Sequence, residues 1–345
     1  MTPASEAPAW SFVTPIPEQA VEPGGTPGFS VLIAAYQAAH VIGEAIESAL
    51  GQTMVPHEII VCDDGSTDDL DAALAPYRDR ITLVRQPNRG EAAAKNAAAR
   101  VASAEFIAIL DADDVYLPER IQALGQLAAA RPDLDILTTD AFLEVGGRRL
   151  RRCYGDAFPF VVDDQRTGIL ERNFIFGLAA VRRRRLLDAG GFDESIRTTT
   201  DWECWIRLIL DGARAGLVDE PLARYRLRPE SLSAGRVGLL RGRVATLEKA
   251  AAHPGLRPED RRTVGRSLAT QRRDLTLLEA QAALAGRQSD ARRRALEIAR
   301  DAEYGLPTRY KASVSAVAPR LVGRWLASGD RWIRRSAGGF RDAGS

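Results

Sequence analysis

Cysteine and histidine are scarce in this chain, and their scarcity removes whole classes of chemistry. Only Cys62, Cys153 and Cys204 occur among 345 residues, far apart and in no paired motif. That excludes a disulfide scaffold and a thiolate zinc site, and it fits a reducing, cytoplasmic compartment. His40, His57 and His253 are the only histidines, none with metal-ligand spacing, so a histidine-dependent triad is not expected. Long apolar runs are missing too. The longest, from Phe174 to Val181, falls far short of the roughly 18 residues that span a bilayer. The amino terminus lacks the basic start and apolar core of a signal peptide. Charge of one sign is also absent: 47 Lys and Arg stand against 46 Asp and Glu, a net charge of +1 that gives no reason to expect nucleic acid.

Two nucleotide-binding motifs are absent as well. A Rossmann fold needs a Gly-x-Gly-x-x-Gly turn after its first strand, and that position here reads Ala34-Ala35-Tyr36-Gln37-Ala38-Ala39. No Walker P-loop occurs either.

What is present begins with Phe106-Ile107-Ala108-Ile109-Leu110-Asp111-Ala112-Asp113-Asp114. A short apolar run reads as a buried strand, and it stops abruptly in three acids. Carboxylates resist burial, so they sit at an edge or beside a compensating cation. In open α/β sheets, ligands bind at the carboxyl ends of the strands. Two aspartates one residue apart suit a hard divalent ion that also grips a diphosphate. An acidic turn leading into a helix, with Pro118 at its start, accounts for the same residues.

The preceding chain has the rhythm of an α/β sheet. Residues 1–27 hold six of the 18 prolines and read as a flexible arm. Phe29–Ala35 reads as a buried strand, and apolar residues from Val41 to Leu50 recur at helical spacing. Glu58–Cys62 is a second strand, ending in Asp63-Asp64-Gly65-Ser66-Thr67-Asp68, where Ser66 and Thr67 can cap a helix. Ile81–Val84 is a third, followed by Asn88-Arg89-Gly90 and an Ala-rich helix carrying Lys95 and Asn96. Strands alternating with helices imply right-handed crossovers and a parallel, doubly wound sheet. Parallel strands bring the loops at Tyr36, Asp64 and Asp111 to one edge, with Lys95 nearby. An aromatic face, acids and a metal site suit a nucleotide.

Beyond Pro132 the pattern changes. A strand is expected over 135–139, a hairpin over 141–152 around Gly146-Gly147, and a buried strand over 174–181. Arg182–Arg185 reads either as a phosphate-binding run or as a solvated helix start that Gly190-Gly191 terminates. Asp201, ahead of the apolar helix Trp205–Leu210, is either that helix's N-cap or a general base beside a rigid Trp202 surface.

In this order, these pieces resemble the family 2 glycosyltransferases of GT-A fold, from Phe29 to about Ser233. The carriers are the strand into Ala34-Ala35-Tyr36, Asp63–Asp68, Asn88-Arg89-Gly90 with Lys95-Asn96, Asp111–Asp114, Gly191-Phe192-Asp193-Glu194 and Asp201–Leu208. The resemblance implies an α/β fold of GT-A type, a mainly parallel doubly wound sheet with flanking helices, over residues 28–235. It implies an inverting sugar transfer from a nucleoside diphosphate sugar to a saccharide or lipid-linked acceptor, as in cell-surface polysaccharide or glycoconjugate synthesis. Ala34, Tyr36 and Asp64 would hold base and ribose, with Gly90, Lys95 and Arg228 also on the donor side. Asp111 would contact the ribose, and Asp111 with Asp113 would ligate Mg2+ or Mn2+. Asp201 would take the proton from the acceptor hydroxyl. Three positions depart from the usual pattern: Gln37 after the tyrosine, Thr200 before the base, and Arg228 where a histidine is common.

Residues 236–345 carry no such motif. Val264 to Ala282 fits a helix ending at Gly286, and Ser289-Asp290 can cap another through Ala302, giving a helical extension. In 320–335, Leu321, Val322, Trp325, Leu326, Trp332 and Ile333 alternate with five arginines. Such a basic amphipathic segment suits either an anionic membrane surface or packing on the protein body. Two rival functions use similar parts. A nucleotidyltransferase would need a Gly-rich turn that 29–39 lacks, and a non-catalytic scaffold would keep the fold for binding alone.

Overall fold

The computed structural model describes residues 26–227, 235–286 and 288–319. Most of the expected amino-terminal arm, Arg228 and the 320–335 segment lie outside the described residues. The chain divides into two compact units, the first holding the residues up to Gly235 together with Ala245–Ser267.

The first unit is built on one nine-stranded sheet. Strands β1 (Phe29–Ala35), β2 (Glu58–Asp63), β3 (Thr82–Arg85) and β4 (Phe106–Ile109) are all parallel, in the order β3-β2-β1-β4. Helices α1 (Ile42–Leu50), α2 (Leu70–Leu74) and α3 (Glu91–Val101) are the crossovers. Val31, Leu32, Ile33 and Ile60, Val61 are fully buried, as the near-continuous apolar runs of a parallel sheet require. Ala92–Ala94, Ala98 and Ala99 of α3 are buried too, and their small side chains let the helix lie close to the sheet.

The register explains the meeting of the loops. Ala34 pairs with Cys62 and Leu32 with Ile109, so the chain leaves β1, β2 and β4 at the same level. Asp111, two residues past Ile109, therefore arrives at the level of Ala34.

The remainder is mixed rather than parallel. Strand β5 (Val115–Tyr116) and helix α4 (Arg120–Ala130) precede β6 (Ile136–Val145) and β7 (Arg148–Arg152). These last two form the expected hairpin, with Gly146 and Gly147 at φ 56° and 77°, as a two-residue turn demands. Helix α5 (Gln165–Glu171), strand β8 (Ala180–Arg182) and helix α6 (Arg183–Asp188) follow. Helix α7 (Thr200–Leu210) and β9 (Ala215–Leu227) complete the sheet. Strand β8 runs antiparallel between β4 and β6, which itself pairs parallel with β9.

The strand expected over 174–181 is thus mostly loop. Residues 174–179 are held differently: Tyr154 donates its hydroxyl to the Phe174 carbonyl at 2.8 Å, and Phe174 and Phe176 join Tyr154, Phe158 and Phe160 in an aromatic cluster. The run is apolar because it is buried, not because it is extended. Arg182 ends β8, and Arg183–Arg185 start α6 with Arg184 and Arg185 exposed. Arg182 and Arg185 pair with Asp135, and Arg184 with Asp188.

Helices α8 (Arg236–Ala251) and α9 (Pro258–Ala285) contribute to both units. Their 245–267 stretch returns to the first, where Thr246 bonds Thr199 at 2.8 Å and Arg166 pairs with Asp260 at 2.6 Å. In the second unit, α10 (Ala291–Arg300) and α11 (Leu306–Val317) close on α9 around Ala280, Ile298 and Ala312. Asp290 stands at the start of α10, and its carboxylate accepts from Arg294 rather than capping the helix.

Candidate active site

The turn after β1 exposes Tyr36, half of whose surface faces solvent, and puts Gln37 at φ 53°, unusual for a residue other than glycine. Four hydrogen bonds hold Gln37 there. Its amide oxygen accepts from the N–H groups of Thr67 and Asp68, its amide nitrogen donates to Thr67 Oγ1, and its own N–H donates to Ser66 Oγ. Ser66 and Thr67 therefore do not cap α2, as their sequence suggested. Their polar groups join the second turn to the first.

Asp64 fastens a third turn to these two. One oxygen accepts from Gln86 Nε2 at 2.7 Å and Arg89 N at 2.9 Å, the other from Gly90 N at 2.8 Å. The intervening Gly65 has φ +74°, and a Cβ there would lie 2.7 Å from Asn88 N. Only glycine fits both the backbone and the gap.

Below this rim Lys95 is 2% exposed and sits between two acids, bonded to Glu91 and 3.0 Å from Asp111 Oδ1. Burial works against its charge, but Asp111 and Glu91 outweigh it and hold the ammonium well above its usual range. The pKa of Asp111 also shifts upward, to about 6. Loss of surrounding water is the main cause, Lys95 opposes it, and the charges of Glu91 and Asp113 add to it. Asp114 is buried with Oδ1 accepting from Arg226 N, while Oδ2 has no hydrogen-bond partner. Burial first, and then Asp111, raises its pKa well above the carboxylate range.

Ala34, Tyr36, Asp111 and Asp113 line one cavity of about 280 Å³, together with Gln37 and Glu91. Asp64 and Gly90, bonded to each other, stand outside that lining. Hard oxygen donors with more negative charge than Lys95 balances suit a divalent cation. Among the described residues no three acidic, histidine or cysteine side chains form a complete cage. A cation held by Asp111 and Asp113 would therefore take its remaining ligands from a diphosphate and water.

Asp201 reaches this centre from the other half of the unit. Thr199, not Asp201, is the N-cap of α7, and Asp201 stands in the first turn with Oδ2 accepting from Asn173 Nδ2 at 2.8 Å. A Cβ built on Gly177 would lie 3.6 Å from Asp201 Oδ2 and 3.9 Å from Asp111 Oδ2, so the two carboxylates flank one side-chain-free position. Burial raises the pKa of Asp201, against the pull of Lys95. Trp202 offers no exposed surface. It is buried, and its ring N–H donates to the Ile169 carbonyl at 2.8 Å.

Four neighbours escaped sequence reasoning. Glu91 was legible as the acid four residues before Lys95. Tyr225 stacks on Phe176 with ring centroids 6.4 Å apart, and burial with the charges of Asp111, Asp114, Asp201 and Asp113 keeps its hydroxyl neutral. Nothing in the local sequence marks Asn173 or Gly177.

Residues 30–190 match the family described as Glycosyl transferase family 2. Residues 30–190 form a domain of that family. Among curated members the chain is 32% identical over 222 residues to the succinoglycan biosynthesis protein ExoU of Rhizobium meliloti, covering 59% of this chain and 63% of that protein. It is 30% identical over 188 residues to the chondroitin synthase of Escherichia coli, covering 53% and 26% respectively. The chain thus spans less than two thirds of the length of either relative. Among solved structures, S. aureus TarS 1-349 in complex with UDP-GlcNAc aligns with TM-score 0.57 and 17% identity over 88% of this chain and 92% of that one. The mannosyltransferase PcManGT from Pyrobaculum calidifontis, in complex with GDP-Man and Mn2+, aligns with TM-score 0.56 and 19% identity over 96% and 90%. At that identity the likeness shows the fold, which is GT-A with a helical extension.

Proposed function

We propose that this chain transfers a sugar, with inversion, from a nucleoside diphosphate sugar to an acceptor hydroxyl in the building of a polysaccharide or glycoconjugate. The observation that carries it is the meeting of Asp111 and Asp201 across Gly177, at the edge of the cavity that also holds Tyr36 and Asp113. The relatives named for succinoglycan biosynthesis and chondroitin synthesis, and the similar folds described in complex with UDP-GlcNAc and with GDP-Man, support this reading.

Tyr36 offers a flat, exposed ring for the base. Asp64 keeps its turn closed through Arg89 and Gly90. Asp111 and Asp113 would hold Mg2+ or Mn2+, which when bound supplies positive charge to the departing diphosphate. Lys95 fixes Asp111 in place.

Asp201 accepts the proton of the acceptor hydroxyl, whose oxygen attacks the anomeric carbon. The bond from that carbon to the diphosphate oxygen breaks, and its electron pair leaves with the nucleoside diphosphate. Attack opposite the leaving group inverts the centre. A carboxylate whose pKa is raised by burial is a stronger base than an exposed one.

Thermal unfolding with UDP, GDP, dTDP and CDP, each with and without Mn2+, tests the donor half. One nucleotide should raise Tm, and more so with metal, because a ligand at a hundredfold its Kd adds about 2.7 kcal/mol. No shift with any of the four would sink the proposal.

A further inference from the structure

Helix α11 in the second unit is turned inside out relative to an ordinary surface helix. Its buried side is made of small residues, Ala312, Ser315 and Ala316, at 9%, 8% and 3% exposure. Its large apolar side chains point away from the body: Leu306 is 77% exposed, Tyr310 72%, Val314 43% and Val317 85%. Their spacing of four, four and three residues makes them one continuous stripe. The stripe continues at Tyr310 and Val314 into an apolar cavity of about 480 Å³, also lined by Leu277, Leu284 and Ile298. Contiguous apolar surface of this kind marks an interaction site.

Charge decides the kind of partner. Arg309 and Lys311 flank Tyr310, about 100° away on either side of the helix axis. Over residues 305–335 the sequence carries seven Lys or Arg and a single acid, Asp330. Two copies of this face would bring like charges together, and the equally basic 320–335 segment is no complement to it either. An apolar stripe bordered by cations matches a surface with an apolar interior and anionic head groups.

We infer that the exposed face of α11 docks this protein on an anionic lipid surface. Among the described residues no helix is long and apolar enough to cross a membrane. Leu306, Tyr310 and Val317 enter the head-group region and Lys311 meets the lipid phosphates, while the half-buried Arg309 donates through Nε to the Ala299 carbonyl at 3.1 Å.

Co-sedimentation of the full chain with phosphatidylcholine vesicles, with and without phosphatidylglycerol, tests this. The full chain should pellet with the anionic vesicles and not with the neutral ones, and raised salt should release it. The combined Leu306→Ser, Tyr310→Ser and Val317→Ser variant alters only exposed positions, so its melting curve should match the parent's. Its partition into anionic vesicles should fall by about tenfold or more, and Lys311→Glu alone should lower it severalfold. Equal partition of parent and triple variant would overturn the inference, as would no preference for the anionic lipid. A parent that sediments as a dimer, and a triple variant that sediments as a monomer, would assign the face to a second copy instead.

Discussion

The two halves of the sheet deliver their parts of the site by different means. From β1 to β4, adjacent parallel strands end at one level, and the turns beyond them are tied together through Gln37 and Asp64. From β5 to β9 the sheet is mixed, and Asp201 is placed by a helix start and a single side-chain partner, Asn173. The donor half is fixed by strand topology and by the many bonds that the Gln37 and Asp64 side chains make to neighbouring turns. The acceptor half is fixed by a few side chains, and it should be both easier to disable and easier to alter.

That contrast can be broken first at Asp201. Asp201→Asn should lower transfer by about 10²–10⁴-fold while leaving the nucleotide-induced rise in Tm intact. Near-full turnover would remove Asp201 from its role. The donor half should fail instead through folding. Gly65→Ala places a methyl 2.7 Å from Asn88 N at a positive φ, and should cost about 3 kcal/mol in denaturant melts. Gly146→Ala, also at positive φ but with nothing within 4 Å, should cost only about 1 kcal/mol. Equal losses would show that the turn at Gly65 has more room than the structure gives it.

Asn173 sharpens the comparison from the other side. On the proposed mechanism it would position Asp201, so Asn173→Ala should lower kcat by about tenfold to a hundredfold through the lost bond to a carboxylate, with the donor KM little changed. A change confined to KM would contradict that placement.

The smallest effect concerns the Gly191–Glu194 turn, where Asp193 is held down at about 2. Burial opposes this, and the hydrogen bonds from Lys249 and Ser195 prevail. A carboxyl depressed in the folded state stabilises above its unfolded pKa of about 4 and ceases to as pH falls toward 2. Lys249→Ala should remove about 1–2 kcal/mol at neutral pH and flatten the acid limb of the stability curve. An unchanged acid limb would contradict it.

Legibility in the sequence followed the same division. Parallel strands announce themselves as short apolar runs, and acids directly after such a run stand at an edge or beside a compensating cation. The placement of Asp111 and Asp113 at a strand end was therefore readable from the order of residues. The loop over 174–179 was not. Its hydrophobicity comes from an aromatic cluster and mimics a core strand. Trp202 misled in the opposite way, since a tryptophan beside a candidate base can as well be an anchor for α5 as a platform. Gln37 was visible only as a departure, because the partners that explain it lie 30 residues away. Asn173 and Gly177 gave no signal, since their importance lies wholly in which carboxylates the fold carries to them.

Gly177 carries one more consequence. Its neighbours lie at ordinary van der Waals distances, and its backbone is not of the kind reserved for glycine. An alanine there would be invisible to calorimetry, yet its methyl group would occupy the space where, on the proposed mechanism, the incoming oxygen must meet the anomeric carbon. A folded, nucleotide-competent protein that has lost turnover to one added carbon would locate the reaction in that gap more directly than removal of any charged group.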